Sequence, residues 1–271
     1  MKKNDYEIVT LGFNCQPRGE LTAWKLIPTK SKGRLSLPFD LALHSANLVV
    51  KQIKEDFKNY LKNMRYGYQS GNRHYWTNFN DSVIYYHDFH DKPNFHKKII
   101  DRYQKRIENF RNLSKNQPFV FFLVNCQPDV TTTKDINEMY EALKEYRQGK
   151  PFRLLVWDTY ERISVKELNP EIKIICDKNP EDNPMNAWDR NKKKSSAIIE
   201  HDRKKKVFIE NAIKEEGFEV QYYEISLKDR FKYFIKYNMQ SMFSITNNYV
   251  DNCKVIIIFG KTIKLWKLPE D

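Results

Sequence analysis

The chain has 271 residues, with 16 Tyr, 17 Phe and 5 Trp set against only 8 Gly, and 40% of it is apolar. That composition excludes general disorder and collagen-like or glycine-linker architectures, and the length is enough to bury a sizeable core. A formal charge of +12 favours anionic partners over neutral ones without choosing among nucleic acid, phosphorylated ligands and acidic glycans.

In chain order, Tyr6 to Leu11 reads as a short strand closed by Gly12. A helix follows through Leu21, Trp24 and Leu26, with Pro28 as its stop. Residues 29–36 read as a basic loop, and Pro38-Phe39-Asp40 as a turn. Apolar residues at spacings of three and four predict a helix over 45–64 (Leu48, Val49, Ile53, Phe57, Tyr60, Leu61). The same spacing predicts a second helix over 94–114 (Phe95, Ile99, Tyr103, Ile107, Phe110, Leu113). Between them, Val83 to Phe89 is strand-like. Phe119 to Val124, Phe152 to Trp157, Ile172 to Cys176 and Val220 to Ile225 are further predicted strands, and 135–148, 195–216 and 229–237 are predicted helices. The chain closes on a hairpin, Lys254 to Phe259 and Thr262 to Trp266, turning at Gly260-Lys261. This alternation predicts one α/β domain, 1–271. Its mostly parallel central sheet is flanked by helices, with a helical insertion over about 41–114 and a C-terminal β-hairpin.

Several motifs fail on their own chemistry. Ile258-Phe259-Gly260-Lys261-Thr262 imitates the end of a phosphate loop, but Val255 stands where the first glycine is required. No Gly-x-Gly-x-x-Gly supports a dinucleotide site. His87, Asp88, His90 and Asp91 are too closely spaced on a strand to share an ion, because His87 and His90 would face opposite sides; no metal site is expected. The four cysteines, Cys15, Cys126, Cys176 and Cys253, form no Cys-x-x-Cys pair and argue against a disulfide framework. Lys192, Lys193, Lys194 and Arg203 to Lys206 form a weak basic cluster without any nucleic-acid-binding signature, which disfavours nucleic acid as partner. His44, His74, His96 and His201 read as surface residues. No apolar run is long enough for a membrane span, and a cytoplasmic setting is the expectation.

Asn-Cys-Gln-Pro occurs twice, at 14–17 and 125–128, each time just past a predicted strand. In an open parallel sheet, ligands bind beyond the carboxyl ends of the strands. That rim would gather Cys15, Cys126, Asn14, Asn125, Asp158 and Asp177. Cys15 is the better placed thiol, because a strand-to-helix turn surrounds it with unpaired amides that favour a thiolate and hold an oxyanion.

Leu11-Gly12-Phe13-Asn14-Cys15, Pro38-Phe39-Asp40, His87-Asp88-Phe89 and Tyr103-x-x-Arg106-Ile107-x-x-Phe110 appear in that order. The set resembles a bacterial domain family of unknown function grouped with papain-like cysteine peptidases. The family usually places Trp after Pro-Phe-Asp, where this chain has Leu41. The resemblance implies Cys15 as nucleophile, His87 as its proton acceptor and Asp88 nearby, and needs no cofactor. On the residues themselves, Asp88 or Asp158 would orient the imidazole. Gly12, Asn14, Gln16, Asp40 and Asn125 would surround the oxyanion and substrate. The expected substrate is a peptide or an acylated glycan. The strand-Cys-helix order is also similar to esterases and acyltransferases, which leaves coenzyme A open as an acyl donor. A non-catalytic binder of an anionic polymer through Lys192, Lys193, Lys194 and Arg203 is the remaining alternative.

Overall fold

The computed structural model describes residues 5–12, 14–70, 73–78, 83–85, 96–126, 131–178, 180, 195–224, 243–248, 253–258 and 261–267. They divide into two compact units, Met1–Tyr223 and Glu224–Asp271.

The first unit is built on four parallel strands, β1 (Tyr6–Thr10), β5 (Phe119–Asn125), β6 (Phe152–Asp158) and β7 (Ile172–Cys176), lying side by side in chain order. The register pairs Ile8 with Phe121, Phe122 with Leu154 and Val156 with Ile174. Every residue of β5 is buried, as a central parallel strand covered on both faces must be. Period-two alternation divides the side chains between two cores. Tyr6, Ile8, Phe121, Leu123, Leu155 and Trp157 meet Leu21 of helix α1 (Gln16–Ala23) and Ile209, Ala212 and Ile213 of α5 (Ser196–Glu215). Val9, Leu11, Val120, Phe122, Val124, Leu154 and Val156 face the opposite layer. That layer consists of α2 (Ala46–Lys54), α3 (His96–Asn116) and α4 (Thr133–Arg147). The expected α/β architecture is therefore present.

The predicted helices over 94–114, 135–148 and 195–216 correspond to α3, α4 and α5. Thr132 fixes the start of α4 by accepting the Asp135 amide, while Asp135 accepts the Thr132 amide in return. The predicted helix over 45–64 is cut short. α2 ends at Lys54, and the chain turns through left-handed backbone at Asp56 (φ 46°) and Phe57 (φ 62°). Aromatic packing overrides the helical period here. The turn seats Phe57 against Phe39 and Phe110, with ring centroids 5.5 and 5.2 Å away.

The 41–114 segment also holds a three-stranded antiparallel sheet that periodicity did not reveal. Its strands are β2 (Arg65–Ser70), β3 (Arg73–Asn78) and β4 (Val83–Tyr85). The strand expected at Val83 to Phe89 is described only as far as Tyr85. Residues 220–224, expected as a strand, run irregularly instead. Their amides are satisfied one at a time, Gln221 by the Tyr6 hydroxyl and Tyr223 by the Lys25 carbonyl. The predicted helix 229–237 lies outside the described residues.

In the second unit, β8 (Phe243–Asn248), β9 (Cys253–Ile258) and β10 (Lys261–Lys267) form an antiparallel sheet with β9 in the middle. The expected hairpin is present with a shifted register, Ile258 pairing with Lys261 and Ile257 with Thr262 where a Gly260-Lys261 turn would pair Phe259 with Thr262, and β8 adds a third strand. Among the described residues no helix is long and apolar enough to cross a membrane.

Candidate functional site

The carboxyl ends of β1, β5, β6 and β7 form one rim of the parallel sheet, and the two Asn-Cys-Gln-Pro motifs meet there. Asn125 closes β5, and its Nδ2 donates to Asn14 Oδ1 at 3.5 Å. Asn14 Oδ1 also accepts the Gln16 amide at 2.9 Å, which forms the turn that opens α1. Gly12 makes this approach possible. A Cβ at that position would lie 2.3 Å from Asn125 Oδ1 and 2.8 Å from Pro17 Cγ.

Cys15 caps α1 with helical backbone angles (φ −76°, ψ −2°), and its carbonyl accepts the Gly19 amide at 3.1 Å. It is half-buried and forms no disulfide. Burial pushes its thiol above the ordinary value. Its own amide and then the Arg18 guanidinium pull it back, and Asp40 pushes it up again. The thiolate expected from the helix terminus is thus outweighed by desolvation, and at neutral pH the resting side chain is the thiol. Cys15 needs a base to become a nucleophile.

Asp40 lies in the Pro38–Asp40 3-10 turn and is fully buried. It accepts from the Thr10 hydroxyl (2.5 Å), the Leu37 amide (2.9 Å) and Arg18 Nη1 (2.9 Å). These bonds join β1, the turn and α1, so Asp40 clamps the site rather than facing a substrate. Just beyond it, Leu43 and Ile84 form an antiparallel bridge (Leu43 N to Ile84 O 2.8 Å). The segment that follows Asp40 therefore lies against β4, whose last residue, Tyr85, stands two positions before His87. His87 and Asp88 lie outside the described residues.

The other rim residues are committed elsewhere. Asp158, expected to orient an imidazole, is fully buried and accepts the amides of Tyr160 (3.1 Å), Arg162 (2.7 Å) and Ile163 (2.7 Å). It ties the loop after β6. The Cys126 thiol is pushed far up by burial, then by Asp158 and Cys176, which makes it a buried filler rather than a nucleophile. The Gln16 amide, expected to face an oxyanion, is already spent on Asn14 Oδ1.

The basic cluster is internally neutralised where it is described. Arg203 forks onto Glu200 at 2.7 and 2.6 Å, and Lys204 reaches Asp177 at 2.7 Å. Lys206 lies 3.4 Å from Glu210. Lys205 is buried, with its Nζ 2.8 and 2.9 Å from the two Glu20 oxygens and 5.0 Å above the Trp157 ring. Arg203 is therefore no free anion-binding cation, and Lys192, Lys193 and Lys194 lie outside the described residues.

Two histidines expected at the surface are buried. His201 Nδ1 holds Asp177 Oδ2 at 2.7 Å, and His44 Nε2 pairs with the Tyr60 hydroxyl at 2.7 Å. His96 is exposed and stacks on Trp76. Sequence reasoning also missed Arg18. Its signal was its spacing: it stands three residues after the candidate nucleophile on the helix that nucleophile opens. A cavity of about 610 Å³ lined by Phe57, Leu61, Ile100, Gln104 and Ile107 contains none of these groups. Among the described residues no three His, Cys, Asp or Glu side chains are placed to share a metal ion.

No protein-family model, no curated protein and no solved structure matches this chain, so its chemistry is argued from its own residues.

Proposed function

We propose that the chain is a cysteine-nucleophile enzyme acting on an acyl or peptide carbonyl, with Cys15 as nucleophile and His87 as its proton acceptor. One observation carries the reading. The segment holding Asp40 is bonded to the Cys15 helix through Arg18 and paired through Leu43 to β4, the strand that leads to His87. The Asp40 motif is thus held both to the Cys15 helix and to the strand that precedes the His87 motif in the chain.

The chemistry follows from the thiol's resting state. His87 takes the Cys15 proton as Sγ bonds to the carbonyl carbon, and the carbonyl oxygen gathers the displaced electron pair. In this reading that oxygen takes its hydrogen bonds from the Cys15 main-chain N–H and from the second Nδ2 hydrogen of Asn125, the first being given to Asn14. Collapse breaks the bond to the leaving group, which receives the proton from the imidazolium. Water, or an acceptor hydroxyl, then releases the acyl group from sulfur by the same steps in reverse. Asp40 takes no part in proton transfer; it holds Arg18 and the β1 end in register.

A panel of 4-nitrophenyl esters and peptide anilides tests the reading. Turnover of any substrate found should fall by about a thousandfold or more in Cys15→Ala, as expected when a covalent nucleophile is removed. Undiminished turnover in that variant overturns it.

A further inference from the structure

The guanidinium of Arg18 is only half used. Nη1 donates to Asp40 Oδ2 at 2.9 Å and to Ser36 Oγ at 3.3 Å. Nε and Nη2 have no partner among the described residues, and those two N–H groups form one of the parallel forks by which arginine grips a carboxylate. The side chain keeps 15% of its exposure, so the fork is largely desolvated yet reachable. Asp40 is fully buried with all its bonds directed inward to Thr10, Leu37 and Arg18, so an incoming anion meets the outer edge of the guanidinium and not the carboxylate behind it. Helical geometry at Cys15 places Arg18 one turn on and on the same side, with about 5–6 Å between Cβ atoms. The electrostatic influence of Arg18 on the Cys15 thiol agrees with that proximity.

We propose that the Nε–Nη2 edge of Arg18 binds a carboxylate carried by the substrate close to the carbonyl that Cys15 attacks. This selects acidic acyl groups, such as an acidic residue of a peptide or a dicarboxylic half-acyl chain, over neutral ones. The proposal rests on Cys15 being the nucleophile, and Arg18 acts in it as a specificity-determining residue.

A pair of alkylating agents separates the two claims. Iodoacetate carries a carboxylate on the carbon that reacts with sulfur, and iodoacetamide carries a neutral amide there. The rate ratio of iodoacetate to iodoacetamide is measured at Cys15 by peptide mass spectrometry, with 2-mercaptoethanol as the reference thiol. The expected ratio at Cys15 is about tenfold above that of mercaptoethanol, the scale of one charge-assisted fork. It should fall severalfold in Arg18→Lys, which keeps the charge beside Asp40 but loses the fork, and vanish in Arg18→Gln. If Arg18→Gln does not fold, the wild-type ratio and the lysine variant still decide. A wild-type ratio equal to that of mercaptoethanol overturns the proposal while leaving Cys15 as nucleophile. If Cys15 reacts no faster than Cys176 with either reagent, the nucleophile reading fails with it.

Discussion

Gly12 acts by what it leaves out: the missing Cβ is the space into which the Asn125 amide fits. Gly12→Ala should force Asn125 and Pro17 apart and cost roughly 1–3 kcal/mol, the usual range for overpacking, measured by urea unfolding. An unchanged midpoint would mean that the Asn14–Asn125 contact is slack. His44 gives a second test at this scale. Burial holds its imidazole down at about 3, against an ordinary value of 6.5, so the folded state keeps it neutral while the unfolded chain binds a proton. Its contribution is present above pH 6.5 and is lost as pH falls toward 3. Burial lowers His201 as well, in the same direction. Between pH 6.5 and 5, wild-type stability should drop by up to about 1.4 kcal/mol per pH unit on account of His44, and His44→Gln should flatten that slope. Equal slopes would place His44 in contact with water. The sequence shows that these residues exist but not that they are buried. A histidine's burial depends on partners distant in the chain, here Tyr60 for His44 and Asp177 for His201.

At the scale of elements, α1 is short, and its position depends on what grips it. Asp40 holds it on one side through Arg18; on the other, the buried Lys205 of α5 binds both oxygens of Glu20, which also accepts from Gln16 Nε2 at 3.0 Å. Lys205→Met leaves Glu20 charged with little compensation and should cost roughly 3 kcal/mol, with a good part of the loss restored in the Glu20→Gln, Lys205→Met double variant. Additive losses, read from chemical denaturation, would show that the pair is solvated. The parallel strands were legible because a buried strand is a continuous apolar run, as in Phe119 to Val124. Helix α2 was only partly legible: Phe57 and Tyr60 keep the helical spacing yet are placed by contact with Phe39 and Phe110, which spacing cannot report. Strand β4 was legible in Val83 to Tyr85, but β2 and β3 were missed because each is short and lies inside a segment that reads as helical. The basic run 203–206 left a weak anion-binding site open as an alternative, because its partners, Glu200, Asp177, Glu20 and Glu210, come from other turns and elements.

At the scale of the whole molecule, order in the chain becomes proximity through the sheet. Parallel strands in sequence order bring the two Asn-Cys-Gln-Pro motifs to one rim, and the segment after Asp40 pairs with the strand before His87. The repeated motif made the Asn14–Asn125 meeting legible in advance. Which carboxylate would serve the site was not legible, because Asp158 and Asp40 differ from a catalytic carboxylate only in their hydrogen-bond partners. The central claim is that Cys15, a thiol at rest, is activated by His87. It is tested most directly by the pH dependence of Cys15 alkylation with iodoacetamide in the wild type and in His87→Ala. The account predicts a rate that has already levelled off near neutral pH in the wild type. In His87→Ala it predicts a slow rate that climbs only as the thiol itself ionises, at alkaline pH. Identical profiles in the two proteins, both rising only at alkaline pH, would contradict it.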